Sequence, residues 1–131
     1  MVLKKQLLSY YFHLGFRISP RAMSSTPGPV ETSMREKLQK SLETSHLQII
    51  NESHMHNVPE GSETHFKVVV VSNKFEGLPS LKRHRLVNDV LRDEIRSSVH
   101  ALSIVAKTPD QWEASQKFVE SSPNCMGGFG K

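Results

Sequence analysis

Histidine is the residue type through which this chain could most readily do chemistry, with seven copies against a single cysteine. A neutral imidazole nitrogen is a borderline ligand that suits iron or zinc, and it titrates close to neutrality. Position separates the seven. His13 falls in a basic N-terminal stretch and is set aside. His46 is expected at a strand entrance, in solvent, and His65 at the start of another strand, where a cross-strand hydrogen bond would use it. His84 stands between Arg83 and Arg85 on a helix, where like charges oppose its protonation. There remain His54 and His56 in the polar run NESHMHNVPEGS, and His100 at the start of a third strand. A loop histidine can swing to complete a coordination sphere, while a strand histidine supplies a fixed point. From spacing alone two readings stand: an H-x-H pair with one distant ligand, or three solvated imidazoles.

Catalytic constellations are missing from the sequence. It contains no G-x-S-x-G elbow, no Walker A loop and no H-E-x-x-H helix. Cys125 lies in SSPNCMGGFG, a glycine-rich stretch that cannot preorganise a nucleophile with a base. Glu52, Glu60 and Glu63 crowd the histidine loop, where ordinary solvation accounts for them. A non-enzymatic chain is expected.

The elements that must position these residues follow from local pattern. Pro29 opens a helix in which Val30, Met34, Leu38 and Leu42 recur every four residues. Leu47, Ile49 and Ile50 mark a short strand, and residues 51–62 a long loop. Phe66 to Val71 is the clearest strand, rich in valine. Apolar residues from Leu78 to Ile95 fall at helical spacing, and Val99 to Ala106 alternates as a third strand. In Thr108-Pro109-Asp110-Gln111 the threonine can cap, the proline occupy N1 and the glutamine complete a capping box. The order predicts an α/β domain with a three-stranded mixed sheet and helices on one face. Phe66, Val68 and Val70 should share the buried side, covered by Leu86, Val90 and Trp112. Residues 117–131 read as a flexible tail.

Charge is divided unevenly. Residues 1–30 hold Lys4, Lys5, Arg17 and Arg21 without an acid, so they carry the whole formal charge of +4, and the remainder balances 13 bases against 13 acids. A neutral domain gives no argument for a phosphate-seeking surface. The basic, hydroxyl-bearing segment 1–26 has apolar side chains at Leu3, Leu7, Leu14 and Ile18, the pattern of a mitochondrial presequence. Matrix import is therefore expected. No apolar run approaches the ~20 residues that span a bilayer, so membrane insertion is not expected.

Over longer stretches the sequence becomes specific in another way. NESHMHNVPEGSETHFKVVVVSNKFEGL, LKRHRLV and VHALSIVAKTPDQW, in that order, closely resemble the BolA family, and its mitochondrial branch in particular. The resemblance covers residues 29–116. It implies a small KH-like (class II) fold and partnership with a CGFS-type monothiol glutaredoxin, the two proteins sharing a bridging 2Fe–2S cluster. It further implies that the ligands from this side are a loop residue, His56, and a strand-entrance residue, His100. The second loop histidine, His54, departs from the family pattern and is an alternative ligand. Thiolates would come from the glutaredoxin and from glutathione carried by it, and one cysteine in this chain could not supply the usual four. The resemblance implies a heterodimer around the cluster; a monomer is the expectation for the free chain, a state the sequence itself leaves open. Lys82, Arg83, His84 and Arg85 form a local basic patch expected to meet the partner. The KH likeness raises nucleic-acid binding or regulation as the rival. KH domains use a GXXG clamp between helices, and here that spacing occurs at Gly127 and Gly130, in the tail.

Overall fold

The computed structural model describes residues 26–122. The presequence reading, up to residue 25, and the end of the tail, residues 123–131, lie outside the described residues. Helix α1 runs Pro29–Leu42, as the proline and the apolar stripe predict. Met34, Leu38 and Leu42 are its buried line. No side chain of its own caps it. Instead Glu63, from the loop after the first strand, accepts from the backbone N–H groups of Val30 (3.3 Å) and Glu31 (3.0 Å). A carboxylate satisfies two orphan donors there and meets the positive end of the helix dipole. Glu63 is thus a cap and not a solvated loop acid.

Strands β1 (His46–Asn51), β2 (His65–Val71) and β3 (Ala101–Lys107) form one sheet in the order β1-β2-β3. The first pair is antiparallel and the second parallel. A parallel pair needs a crossover, which α2 (Ser80–Val90) and α3 (Arg92–Ser97) provide. The expected single helix is broken at Leu91, which leaves helical geometry while its side chain is fully buried.

Every residue of β2 beyond His65 is buried, so both faces of the sheet are covered. Phe66, Val68 and Val70 face α1 and α2 with Met34, Leu38, Phe75, Val87 and Leu91. Val69 and Val71 point the other way and pack on Trp112. Two expectations are corrected here. Leu86 is exposed and Val87 takes the core position, because the inward line of α2 is Arg83, Val87 and Leu91, spaced by four. Trp112 covers the opposite face, because α4 (Pro109–Ala114) leaves β3 through the capping box at Thr108 and turns outward. The helices therefore divide, the long ones inside and α4 outside. Val68→Ala should lower the unfolding free energy by ~1–3 kcal/mol in denaturant titration, through lost burial and an unfilled cavity.

Helices α1 and α3 are joined by a polar contact. Glu94, buried on α3, accepts from Ser33 Oγ (2.6 Å) and pairs with Lys37 Nζ (2.7 Å). Burial pushes its pKa up, but the hydrogen bonds from Lys37 and Ser33 outweigh that and hold the carboxyl below its ordinary range. A carboxylate depressed in the folded state stabilises above its unfolded pKa, and that contribution disappears as pH falls through the folded value. Acid unfolding monitored below about pH 4 should accordingly be shallower in Glu94→Gln than in the parent chain.

After α4 the chain doubles back. Gln116 and Lys117 both adopt left-handed backbone (φ 55° and 58°), a conformation disfavoured for residues with a Cβ. Val119 then packs on the Val69, Val71 and Trp112 cluster, and the Lys67 ammonium donates to the carbonyl of Glu120. Residues 117–122 thus lie across the outer face of the sheet. No helix among the described residues is long and apolar enough to cross a membrane.

Candidate metal centre

The loop between β1 and β2 is built around one buried hydroxyl. Ser53 Oγ accepts from the backbone N–H of Thr64 (3.0 Å) and of His65 (3.1 Å). Asn51 closes the same loop, its amide donating to the Ser62 carbonyl (2.9 Å) and its Oδ1 accepting from Ser53 N (3.0 Å). A single 3₁₀ turn, Ser53–Met55, follows, and the N–H of His56 donates to the Ser53 carbonyl (3.0 Å). His56 is therefore anchored at its backbone rather than carried on a free loop.

Its ring is anchored too. His56 stacks on His65, with centroids 3.7 Å apart and planes 19° from parallel. His65 and His100 in turn lie edge to face, with centroids 6.5 Å apart and planes at 71°. Thr64 ties these together: its hydroxyl lies 2.8 Å from His65 Nδ1, and its carbonyl accepts from the N–H of His100 (2.7 Å) and of Ala101 (3.1 Å). The three imidazoles meet because the parallel register sets His65 opposite Ala101, one residue beyond His100. Burial lowers the pKa of His65, and the charges that His56 and His100 would carry push it down further. That ring favours its neutral form, with a lone pair available.

His56 and His100 thus come to one end of the sheet. His65 between them has the sequence context of a strand residue with a cross-strand partner, and its place in the cluster is not legible there. Only the strand pairing reveals it, since nothing in T-H-F marks it as different from other strand starts. His54 sits exposed on the 3₁₀ turn, outside the ring contacts. His46, on β1 opposite Val71 at the other end of the sheet, is not a solvated residue: it stacks on Trp112 at 4.7 Å, and its buried Nε2 has no partner among the described residues.

A depression of about 290 Å³ opens beside the cluster, lined by Glu52, His56, His65, Ala101 and Ser122 among others. Among the described residues, no three His, Cys, Asp or Glu side chains close on one point as a complete metal site. The donor set suits a partial share in a metal centre: imidazoles at an open edge, with room for ligands from elsewhere.

The basic patch on α2 is smaller than the sequence suggested. Arg83 points inward, its guanidinium donating to the carbonyls of Leu78 (2.8 Å) and Ala106 (3.3 Å) and to Gln111 Oε1 (2.6 Å). Only Lys82 and Arg85, with a partly buried His84, remain at the surface. Like Arg83, which reaches Ala106, they lie toward the Lys107 end of the sheet, away from His56, His65 and His100.

Similarity to known proteins agrees with this architecture. A family model described as BolA-like protein matches residues 38–111. A BolA-like protein 1 from Mus musculus is 50% identical over 110 residues, covering 84% of this chain and 80% of its own. The DNA-binding transcriptional regulator BolA of Vibrio cholerae is 45% identical over 102 residues, covering 78% of this chain and 96% of its own. Among solved structures, that of the Mus musculus BolA1 protein superposes with a TM-score of 0.68 at 50% identity, covering 79% of this chain and 84% of its own. With the family model matched over more than half the chain and a solved BolA1 structure superposing on it at 50% identity, the chain belongs to the BolA family.

Proposed function

We propose that this chain is a non-enzymatic partner of a CGFS monothiol glutaredoxin in the mitochondrial matrix. Together the two would hold a 2Fe–2S cluster for maturation or protection of iron–sulfur proteins. His56 and His100 are the ligands from this side, and the remaining two thiolates come from the glutaredoxin and its glutathione. When bound, such a cluster supplies one-electron redox chemistry and a group that can be passed on. The observation that carries the reading is the meeting of a loop and a strand-entrance imidazole at one open sheet end, held by His65. His65 acts as a positioning residue. Its stack fixes the ring plane of His56 before any metal arrives, which lowers the ordering cost of binding. His54, exposed on the same turn, can substitute only by moving. The basic segment 1–26, with its amphipathic pattern, supports the matrix assignment.

The experiment is reconstitution. The chain without residues 1–26 is mixed with a CGFS glutaredoxin, iron, sulfide and glutathione, then resolved by size with visible absorption recorded. A coloured one-to-one complex is expected, spectrally distinct from the glutaredoxin alone. A colourless mixture, or colour confined to the glutaredoxin homodimer, refutes the reading.

The name of the Vibrio cholerae relative supports a second reading, in which the chain binds nucleic acid. Lys82 and Arg85 on α2 would be the phosphate contacts. With Arg83 committed inward, two cations make a small electrostatic footprint. Binding to single-stranded RNA or duplex DNA is expected to be weak, and its salt dependence slight. Submicromolar sequence-selective binding at physiological salt would promote this reading over the first.

A further inference from the structure

Lys67 lies in the middle of β2 on the outer face of the sheet, yet the residue is only 5% exposed. A buried ammonium needs an opposite charge or a full set of acceptors. Among the described residues it forms no ion pair. The contact it does make is with the Glu120 carbonyl, and an ammonium has three donors to satisfy.

Beside it, between β3 and the returning segment, is a cavity of about 520 Å³. Its wall brings Lys67 together with Lys107 and the hydroxyls of Ser103, Ser115, Ser121 and Ser122. Ser115 Oγ donates to the Trp112 carbonyl (2.7 Å), whereas Ser122 Oγ is buried without a partner among the described residues. Lys107 holds its ammonium 5.8 Å from the Trp112 ring centroid and makes no ion pair among the described residues. Glu120, the acid on this wall, is exposed. Two cations, serine hydroxyls and a size within the roughly 300–1,000 Å³ range of small-molecule sites describe a receptor for negative charge.

We propose that this cavity binds a small oxyanion, a carboxylate or a phosphate, that neutralises Lys67, with Lys107 and the serine hydroxyls of Ser103 and Ser122 completing its shell. The site stands independently of the metal reading, because none of these residues is assigned to the metal. Ser103 and Ser122 also line the histidine depression, so the two sites are neighbours.

The test uses the full chain, uniformly ¹⁵N-labelled, titrated with inorganic phosphate and separately with citrate, with sodium chloride holding ionic strength constant. Saturable shifts are expected at the amides of Ser103, Lys107 and Ser122, with those of α2 unmoved. Tighter binding of one probe assigns the chemistry as phosphoryl or carboxylate. Lys67→Met should weaken binding at least tenfold, and Lys67→Arg should retain most of it. Should Lys67→Met not fold, Ser122→Ala and Lys107→Gln carry the test, each expected to weaken binding several-fold. Non-saturable shifts, shifts reproduced by sodium chloride alone, or binding indifferent to these changes would overturn the proposal.

Discussion

Arg83→Ala should lower the unfolding free energy by about 2–4 kcal/mol, far more than truncation of either neighbouring surface cation. Arg83 is 9% exposed and joins three elements: the Leu78 carbonyl before α2, the Ala106 carbonyl on β3, and the Gln111 side chain of α4. Its guanidinium also lies 6.0 Å from the Phe75 ring centroid. Gln111 Oε1 additionally accepts from Thr108 N (3.1 Å), so the arginine braces the capping box that starts α4. Truncation leaves part-buried carbonyls short of a donor, which adds a desolvation cost to the loss of the bonds themselves. Lysine cannot reproduce the fork, so Arg83→Lys should recover only part of the loss. Lys82→Ala and Arg85→Ala should stay within about 0.5 kcal/mol. Urea titration of the four variants decides it. An Arg83→Ala midpoint matching the parent would mean that these bonds hold nothing together.

The second large effect is functional. His100→Ala, and the double change His54→Ala with His56→Ala, should leave the domain folded, because His100 and His54 are exposed and His56 is only partly buried. In the reconstituted complex each should quicken loss of iron to a chelator by at least about tenfold, since even groups that merely support a ligand commonly affect metal affinity that much. His65→Ala should produce a smaller change, because it frees His56 to move without removing a donor. Acidification should weaken the complex, as imidazole must be deprotonated to ligate. His84→Ala, at the other end of the sheet, should not alter the chelation rate. Equal rates in all variants would reduce the chain to a docking partner.

What was legible in the sequence depended on how local its cause was. The α1 stripe, the valine-rich strand and the Thr108 capping box are short-range patterns, and each appears in the structure within a few residues of where its pattern puts it. Leu86 is misplaced by one step of helix phase, whereas the other misplaced residues depend on long-range pairing. Arg83 looks like a surface cation until β3 and α4 arrive to accept its donors. Trp112 looks like a lid for the inner core until the chain direction after Lys107 sends it to the other face. Glu63 looks solvated because the helix it caps lies more than thirty residues away in sequence. The site divides the same way. His56 and His100 followed from the family resemblance, whereas His65 joins them through a strand register that no local pattern encodes.

Shared ligation is tested most directly by pulsed electron paramagnetic resonance on the reduced complex, with this chain alone carrying ¹⁵N-histidine. The account predicts nitrogen couplings to the cluster that change from ¹⁴N to ¹⁵N on labelling and report two imidazoles on one iron. One coupling should vanish in His100→Ala and the other in the His54, His56 double variant. A spectrum unchanged by labelling would contradict it, because no histidine of this chain would then touch the metal.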